Sequence, residues 1–271
     1  MKMRRLAVSV LAAGVIAGVA GCSDSSPDSN AGSGSGGGGT SSSPTEDSPT
    51  QDAPATLTKD NFAQEVAAAQ AEANSAHVDA TVTVQGQEFN IVGDLTGFGT
   101  PDDLQMQITA DIGGQSLEMR AIDKVIYIKS PQLAPKGKEW VKIDGSDPNN
   151  PLSQLFDAAN PGNFTAYLQG VTAFEDKGTE TVDGVQTQHY TLTVDTAAML
   201  QSNPMFKGQD VSSLGLPKEL TSEVNLDSDN RPVRIHTDLG TSGSFEATFS
   251  DYGKEVSVEA PDPSTVGEFS L

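Results

Sequence analysis

One cysteine, three histidines and one tryptophan are all that 271 residues offer of the side chains most often used for redox, metal and stacking chemistry. The lone Cys22 has no partner within the chain, so no intrachain disulfide braces the fold. His77, His189 and His236 lie in three different segments, and none belongs to a His-Glu-x-x-His pair. Cys-x-x-Cys is absent too, and Asp227-Ser-Asp-Asn230 lacks the later Gly and Glu of a calcium loop, so it reads as a hairpin turn. No metal or cofactor is therefore expected. Gly-x-Ser-x-Gly and the P-loop are also missing, and no catalytic residue can be assigned; a hydrolase would need a cluster around a histidine. The chain reads as a non-enzyme.

Positive charge is scarce: 16 Lys and Arg stand against 37 Asp and Glu. Phosphate contacts need bases, so nucleic acid is excluded as a partner. Charge alone would not dock such a chain on anionic lipid either. Nor does any apolar run reach the roughly 20 residues of a spanning helix.

The longest apolar run, Leu6 to Ala20, has another use. It follows the basic Met1-Lys2-Met3-Arg4-Arg5 and ends in Val19-Ala20-Gly21-Cys22, the three-part layout of a secretory signal. Those last four residues resemble a bacterial lipobox. The resemblance implies cleavage before Cys22, a diacylglycerol on its sulfur and an acyl chain on its amine. At about 0.8 kcal/mol per buried methylene, two or three chains anchor a protein stably. Residues 1–21 are thus read as a lipoprotein signal peptide and Cys22 as the lipidated residue. The mature chain keeps 13 basic and 37 acidic side chains, a balance of −24.

Residues 22–55 carry the anchor and a tether. Ser23 to Ala55 holds ten Ser, six Gly, four Pro and five acids, with no large apolar residue. Such a segment cannot offset its chain entropy by burial. As a coil of 33 residues it reaches roughly 30 Å. Residues 56–271 then form one domain of ordinary size.

That domain opens on a helix with Thr58 at its N-cap and Leu57 and Phe62 as a hydrophobic staple. Phe62, Val66, Ala69 and Ala73 form its narrow apolar stripe. The period then changes to two. Alternating runs span about 78–84, 89–95, 104–110 and 117–121, followed by strands over 124–129 and 139–143. Gln85-Gly86-Gln87, Gly113-Gly114 and Asp183-Gly184 mark hairpins. Helical pieces are expected over Asn150–Ala159, Asn163–Leu168 and Asp195–Ser202, with an irregular Pro204-Met205-Phe206. Further strands cover about 171–182, 186–194, 223–226, 233–239, 244–250 and 255–258. The fold class is α+β: a large antiparallel sheet of about eleven strands with a few short helices. At about 4.8 Å per strand such a sheet exceeds 50 Å in width and tends to curl. Its apolar face is either packed solid or partly hollow.

The order of segments resembles the LppX/LprAFG family of actinobacterial lipoproteins, relatives of LolA and LolB. The similarity is carried by "VIYIKSPQLAPKGKEWVKID" (125–144), "GTETVDGVQTQHYTLTVD" (178–195), "NLDSDNRPVRI" (225–235) and "FSDYGKEVSVEAPDPSTV" (249–266). It implies a half-barrel with helices on the concave side, enclosing the acyl chains of a lipid or glycolipid. The family offers no polar site that transfers residue by residue.

The candidate cavity wall comes from the alternation alone. It comprises Val82 and Val84, Phe89 and Ile91, Met106 and Ile108, and Met119 from the first strands. Later strands add Tyr190, Leu192, Ile235 and Phe245; helical pieces add Leu155, Phe156, Leu168 and Met199. The expected function is a membrane-anchored, extracytoplasmic, monomeric lipoprotein that carries lipid across the cell envelope. The alternative is a non-catalytic envelope interaction or sensor lipoprotein with a packed core and no ligand. That alternative requires an exposed apolar or aromatic patch on the outer sheet face.

Overall fold

The computed structural model describes residues 56–98, 103–112, 114–130, 133–145, 170–202 and 211–268. The signal and tether, the helical pieces within 150–168 with Leu155, Phe156 and Leu168, and Pro204-Met205-Phe206 lie outside the described residues.

The first helix, α1, spans Phe62–Ala73. It starts later than the sequence suggests. Asn61, not Thr58, precedes the first turn, and the Asn61 side chain accepts from the Thr58 amide and hydroxyl at 2.6 and 2.9 Å. Leu57 and Phe62 are both buried in the core, but with the cap at Asn61 they no longer hold the N′ and N4 positions of the expected staple. The buried stripe is Phe62, Val66, Ala67 and Gln70, while Ala69 and Ala73 stay half-exposed. Ala73 belongs to the last turn, where Asn74 adopts a left-handed conformation and ends the helix.

Strands follow in the order β1 (Ser75–Val84), β2 (Gln87–Thr96), β3 (Gln105–Ile112), β4 (Gln115–Ile122), β5 (Val125–Lys129) and β6 (Trp140–Asp144). After them come β7 (Val171–Val182), β8 (Val185–Asp195), the helix α2 (Thr196–Ser202), β9 (Glu219–Leu226), β10 (Pro232–Asp238), β11 (Gly243–Ser250) and β12 (Val266–Glu268). Three hairpins turn on two residues at positive φ: Gln85-Gly86, Asp123-Lys124 and Asp183-Gly184. Turns of that hand match the twist of the strands they join.

All twelve strands among the described residues form one open sheet in the order β12-β6-β5-β4-β3-β2-β1-β11-β10-β9-β8-β7. Two expectations change here. The sheet is mixed, because β12 pairs with β6 in parallel. Residues 255–258 form no strand. Their alternation is real, with Val258 buried, but the segment lies across a sheet face instead of along an edge. β12 is three residues long, too short for any period to show.

Both sheet edges are protected against stray pairing. β12 covers β6. β7 carries two register shifts and the exposed charges Glu175, Asp176, Lys177 and Glu180.

Candidate functional site

The face that α1 covers is the inner face, and strand register assigns every residue to it or to the outer one. One register row runs Ile235, Ala247, Ala80, Ile91, Ala110 and Leu117 across β10, β11 and β1–β4. The next runs Phe249, Val78, Gly93, Ile108, Met119, Ile128 and Val141 across β11 and β1–β6. Inner positions of β2–β6 carry no charge. Oily side chains thus line the inner face from β10 to β6.

All eleven strand residues chosen from the alternation fall on this face. Val82, Met106, Ile108, Tyr190, Leu192, Ile235 and Phe245 are buried. Val84, Phe89, Ile91 and Met119 are half-buried. Met199 of α2 packs against the main core and against a smaller cluster of Leu200, Leu216, Leu220 and Leu239. Burial, and next the Asp176 carboxylate, push the Tyr190 phenol upward, so it stays neutral beside the core.

Helix α1 covers one half of the face. The Phe62 ring lies 5.3 Å from Phe174 of β7 and 5.5 Å from Tyr190 of β8, edge-on to both. At the other end the Asn74 carbonyl accepts from Gly97, just past β2, at 2.9 Å. Twelve residues at about 1.5 Å make a rod near 18 Å. Four strand spacings of about 4.8 Å, the interval from β1 to β8, match that length. The helix therefore lies across the strands from β7 and β8 to β1.

Beyond it, over β2–β4, sit the inner side chains that remain partly exposed: Phe89, Ile91, Leu117 and Met119. Phe89 and Ile91 are neighbours on β2, Leu117 and Met119 neighbours on β4, and Ala110 and Ile108 of β3 lie between them. Together they make one apolar strip. Leu117 belongs to it and escaped the sequence choice, although its alternation with Glu118 already placed it on this face. Ile126, Ile128, Val141 and Ile143 form a separate buried cluster alongside.

Gly93 is a point of close backbone approach in this wall. A Cβ there would stand 2.1 Å from the Gln107 carbonyl oxygen and 2.6 Å from Ile108 Cα. Only a residue without a side chain lets β2 and β3 meet so closely on the inner side.

The outer face is polar. His77 Nδ1 meets Asp94 at 2.7 Å, Thr81 donates to Asn90 at 3.0 Å, and Arg234 donates to Glu246 at 2.8 Å. The Arg234 hydrogen bond holds the Glu246 carboxyl below its ordinary value of 4.5. His189 and His236 also face carboxylates, Glu180 at 3.9 Å and Glu246 at 3.3 Å, and among the described residues gather no third ligand-type group. The Trp140 ring lies under Arg120 and Lys129, 4.8 and 5.6 Å from its centroid. Asp227 builds the expected hairpin turn: its carboxylate accepts from the Asp229 and Arg231 amides and from the Arg231 guanidinium. Large exposed apolar residues among those described are Val92, Leu133 and Val185, on three different elements. No apolar docking patch exists among the described outer residues.

Residues 58–258 match the family model described as LppX_LprAFG lipoprotein. Curated LppX proteins of Mycobacterium tuberculosis and Mycobacterium bovis, whose name proposes a role in phthiocerol dimycocerosate transport, are 29% identical over 121 residues. The match covers 45% of this chain and 47% of theirs, so it spans about half the length of these relatives. The crystal structure of Mycobacterium tuberculosis LppX superposes with a TM-score of 0.51 at 20% identity, over 74% of this chain and 100% of that one. Mycobacterium bovis LprF gives 0.53 at 17% identity, over 75% and 96%. These likenesses establish the fold. The matched family is one of lipoproteins, not of enzymes.

Proposed function

The chain belongs to the LppX_LprAFG lipoprotein family, and from that premise we propose that it is a membrane-tethered lipid carrier. The acyl chains of a lipid or glycolipid lie against the inner strip of β2–β4 and are carried across the cell envelope. One observation supports this reading most. Phe89, Ile91, Leu117 and Met119 are contiguous, apolar, on the inner-face register and still partly open, while the outer face is polar. A soluble body gains nothing by leaving an oily strip open unless something else covers it.

Binding draws on apolar burial at about 25 cal/mol per Å², so it selects for chain length and shape more than for one headgroup. With no charge on the inner positions of β2–β6, the headgroup stays at the rim. Met119 and Met199 suit a cargo of variable shape, since an unbranched thioether refits at low cost. The name of the mycobacterial relatives points to a long-chain, strongly apolar cargo. Cys22 carries the lipid anchor on the extracytoplasmic face, and residues 23–55 hold the carrier off its bilayer.

Native mass spectrometry of the protein extracted in mild detergent tests the reading. The expected spectrum shows non-covalent adducts of lipid mass in addition to the acylated chain. A single adduct-free mass in repeated preparations would contradict it.

A further inference from the structure

The polypeptide after β11 crosses the back of the sheet. At its start the Gly253 amide donates to the Ser75 carbonyl at 3.2 Å, and the buried Ser75 hydroxyl donates to the Lys254 carbonyl at 2.6 Å. Midway, Arg120 of β4 donates to the Glu259 carbonyl at 2.9 Å. At the far end the Glu139 amide donates to the Thr265 carbonyl at 2.9 Å and Lys138 to the Ser264 carbonyl at 2.6 Å. β12 then pairs with β6 from Val266 beside Trp140 to Glu268 beside Lys142.

These fastenings are unequal. At the β1 end the exposed Gly253 and Lys254 are held by Ser75, which is buried next to the core residue Ala76. The β6 end is a three-residue parallel joint with the two hydrogen bonds from Glu139 and Lys138 and one ion pair, Lys142–Glu268 at 3.0 Å, and it lies in the open: Glu139, Ser264 and Glu268 are exposed. Exposed pairs of that kind hold weakly. Between the ends a polar cleft of about 230 Å³ lies between this segment and the sheet, lined by His77, Asp94, Gln107, Asp251 and residues 254–258. On the front, Ile126, Ile128, Val141 and Ile143 form their own cluster, apart from the main core.

We propose that residues 251–268 form a releasable tie across the back of the sheet. Its β12 joint sets how far the β4–β6 leaf stands from the rest of the apolar wall. The proposal rests on the carrier reading for its purpose, because a wider wall admits an acyl chain and a narrower one grips it. Gly267 is the fitted point of the joint: a Cβ there would stand 2.7 Å from Pro135 Cγ and 2.9 Å from Cδ.

The test uses the full-length, anchored protein in detergent and in vesicles. Hydrogen exchange read by mass spectrometry reports the tie without any lipid. The expected result is exchange at 266–268 at least tenfold faster than in β1; equal protection would overturn the proposal. Uptake of NBD-labelled phosphatidylethanolamine reports its purpose. Gly267→Val is expected to speed uptake at least threefold. An oxidised Lys142→Cys/Glu268→Cys pair is expected to slow it at least threefold, with recovery on reduction. Uptake indifferent to both changes would overturn the proposal. Absence of uptake by the unmodified protein would instead contradict the carrier reading, leaving the exchange profile to decide the tie.

Discussion

Met119 stands directly opposite Ile108 in the β3–β4 register, yet Ile108 is 7% exposed and Met119 is only half-buried. Two neighbours on one apolar face thus meet different surroundings. The cover thins from β3 to β4, on the half of the wall that α1 does not reach.

Leu117→Asp and Met119→Asp are expected to abolish lipid adducts and to cost less stability than a change in the main core, because both side chains pack against the Ile126–Ile143 cluster yet stay half-exposed. Leu192→Ala, fully within the core beneath α1, is expected to cost about 2–5 kcal/mol of stability. Urea titration and native mass spectrometry on the same three variants check the contrast.

Gly93→Ala is expected to destabilise the domain by about 1–3 kcal/mol, the usual range for an overpacked core, because the added methyl's two nearest collisions are with backbone, which cannot swing aside. The midpoint of urea unfolding measures it.

Much of this sheet was legible because strands with one wet face write their register into the sequence. Val78, Ala80 and Val82, or Met106 and Ile108, could be assigned to a face by alternation alone, and pairing confirms each assignment. Burial strength was not legible. Nothing distinguishes Ile91 from Ile235 locally; both touch the main core, Ile235 buried within it and Ile91 half-buried at its margin beyond α1, a difference of tertiary position. Val256 and Val258 misled for the same reason: alternation reports a half-buried run but not whether it pairs at an edge or lies over a face. The start of α1 was misplaced because Thr58 and Asn61 are both good caps, and the Asn61 side chain bonds back to Thr58.

Glu246 supplies a pH signature. Its hydrogen bond from Arg234 depresses its folded-state value below 4.5. The stability it contributes is therefore present above that value and fades as pH falls through the depressed one. Glu246→Gln is expected to lower the melting temperature at pH 7 and to narrow its gap from the unmodified chain at pH 3. A gap that stays constant with pH would show that the pair contributes nothing.

Tyr252 closes the β9–β10 hairpin from above. Its hydroxyl donates to the Pro232 carbonyl at 2.7 Å, and the Arg231 guanidinium lies 5.1 Å from its ring centre. Burial pushes the phenol far up, so it remains a donor across the working pH range. Tyr252→Phe keeps the stacking and is expected to cost about 1–3 kcal/mol for the carbonyl left without its donor. Thermal unfolding checks it.

Cys22→Ser is expected to move the protein from the detergent phase to the aqueous phase in Triton X-114 partitioning, with the fold unchanged by circular dichroism.

Where the fatty tail touches the protein is the question on which the account stands, and photo-crosslinking answers it most directly. The full-length protein is loaded with a diazirine-bearing fatty acid, irradiated and digested, and the modified peptides are sequenced. The account predicts labels on Phe89, Ile91, Leu117 and Met119 and none on the outer residues of the same strands. Labels confined to the outer face, or labelling unchanged by Leu117→Asp and Met119→Asp, would contradict it.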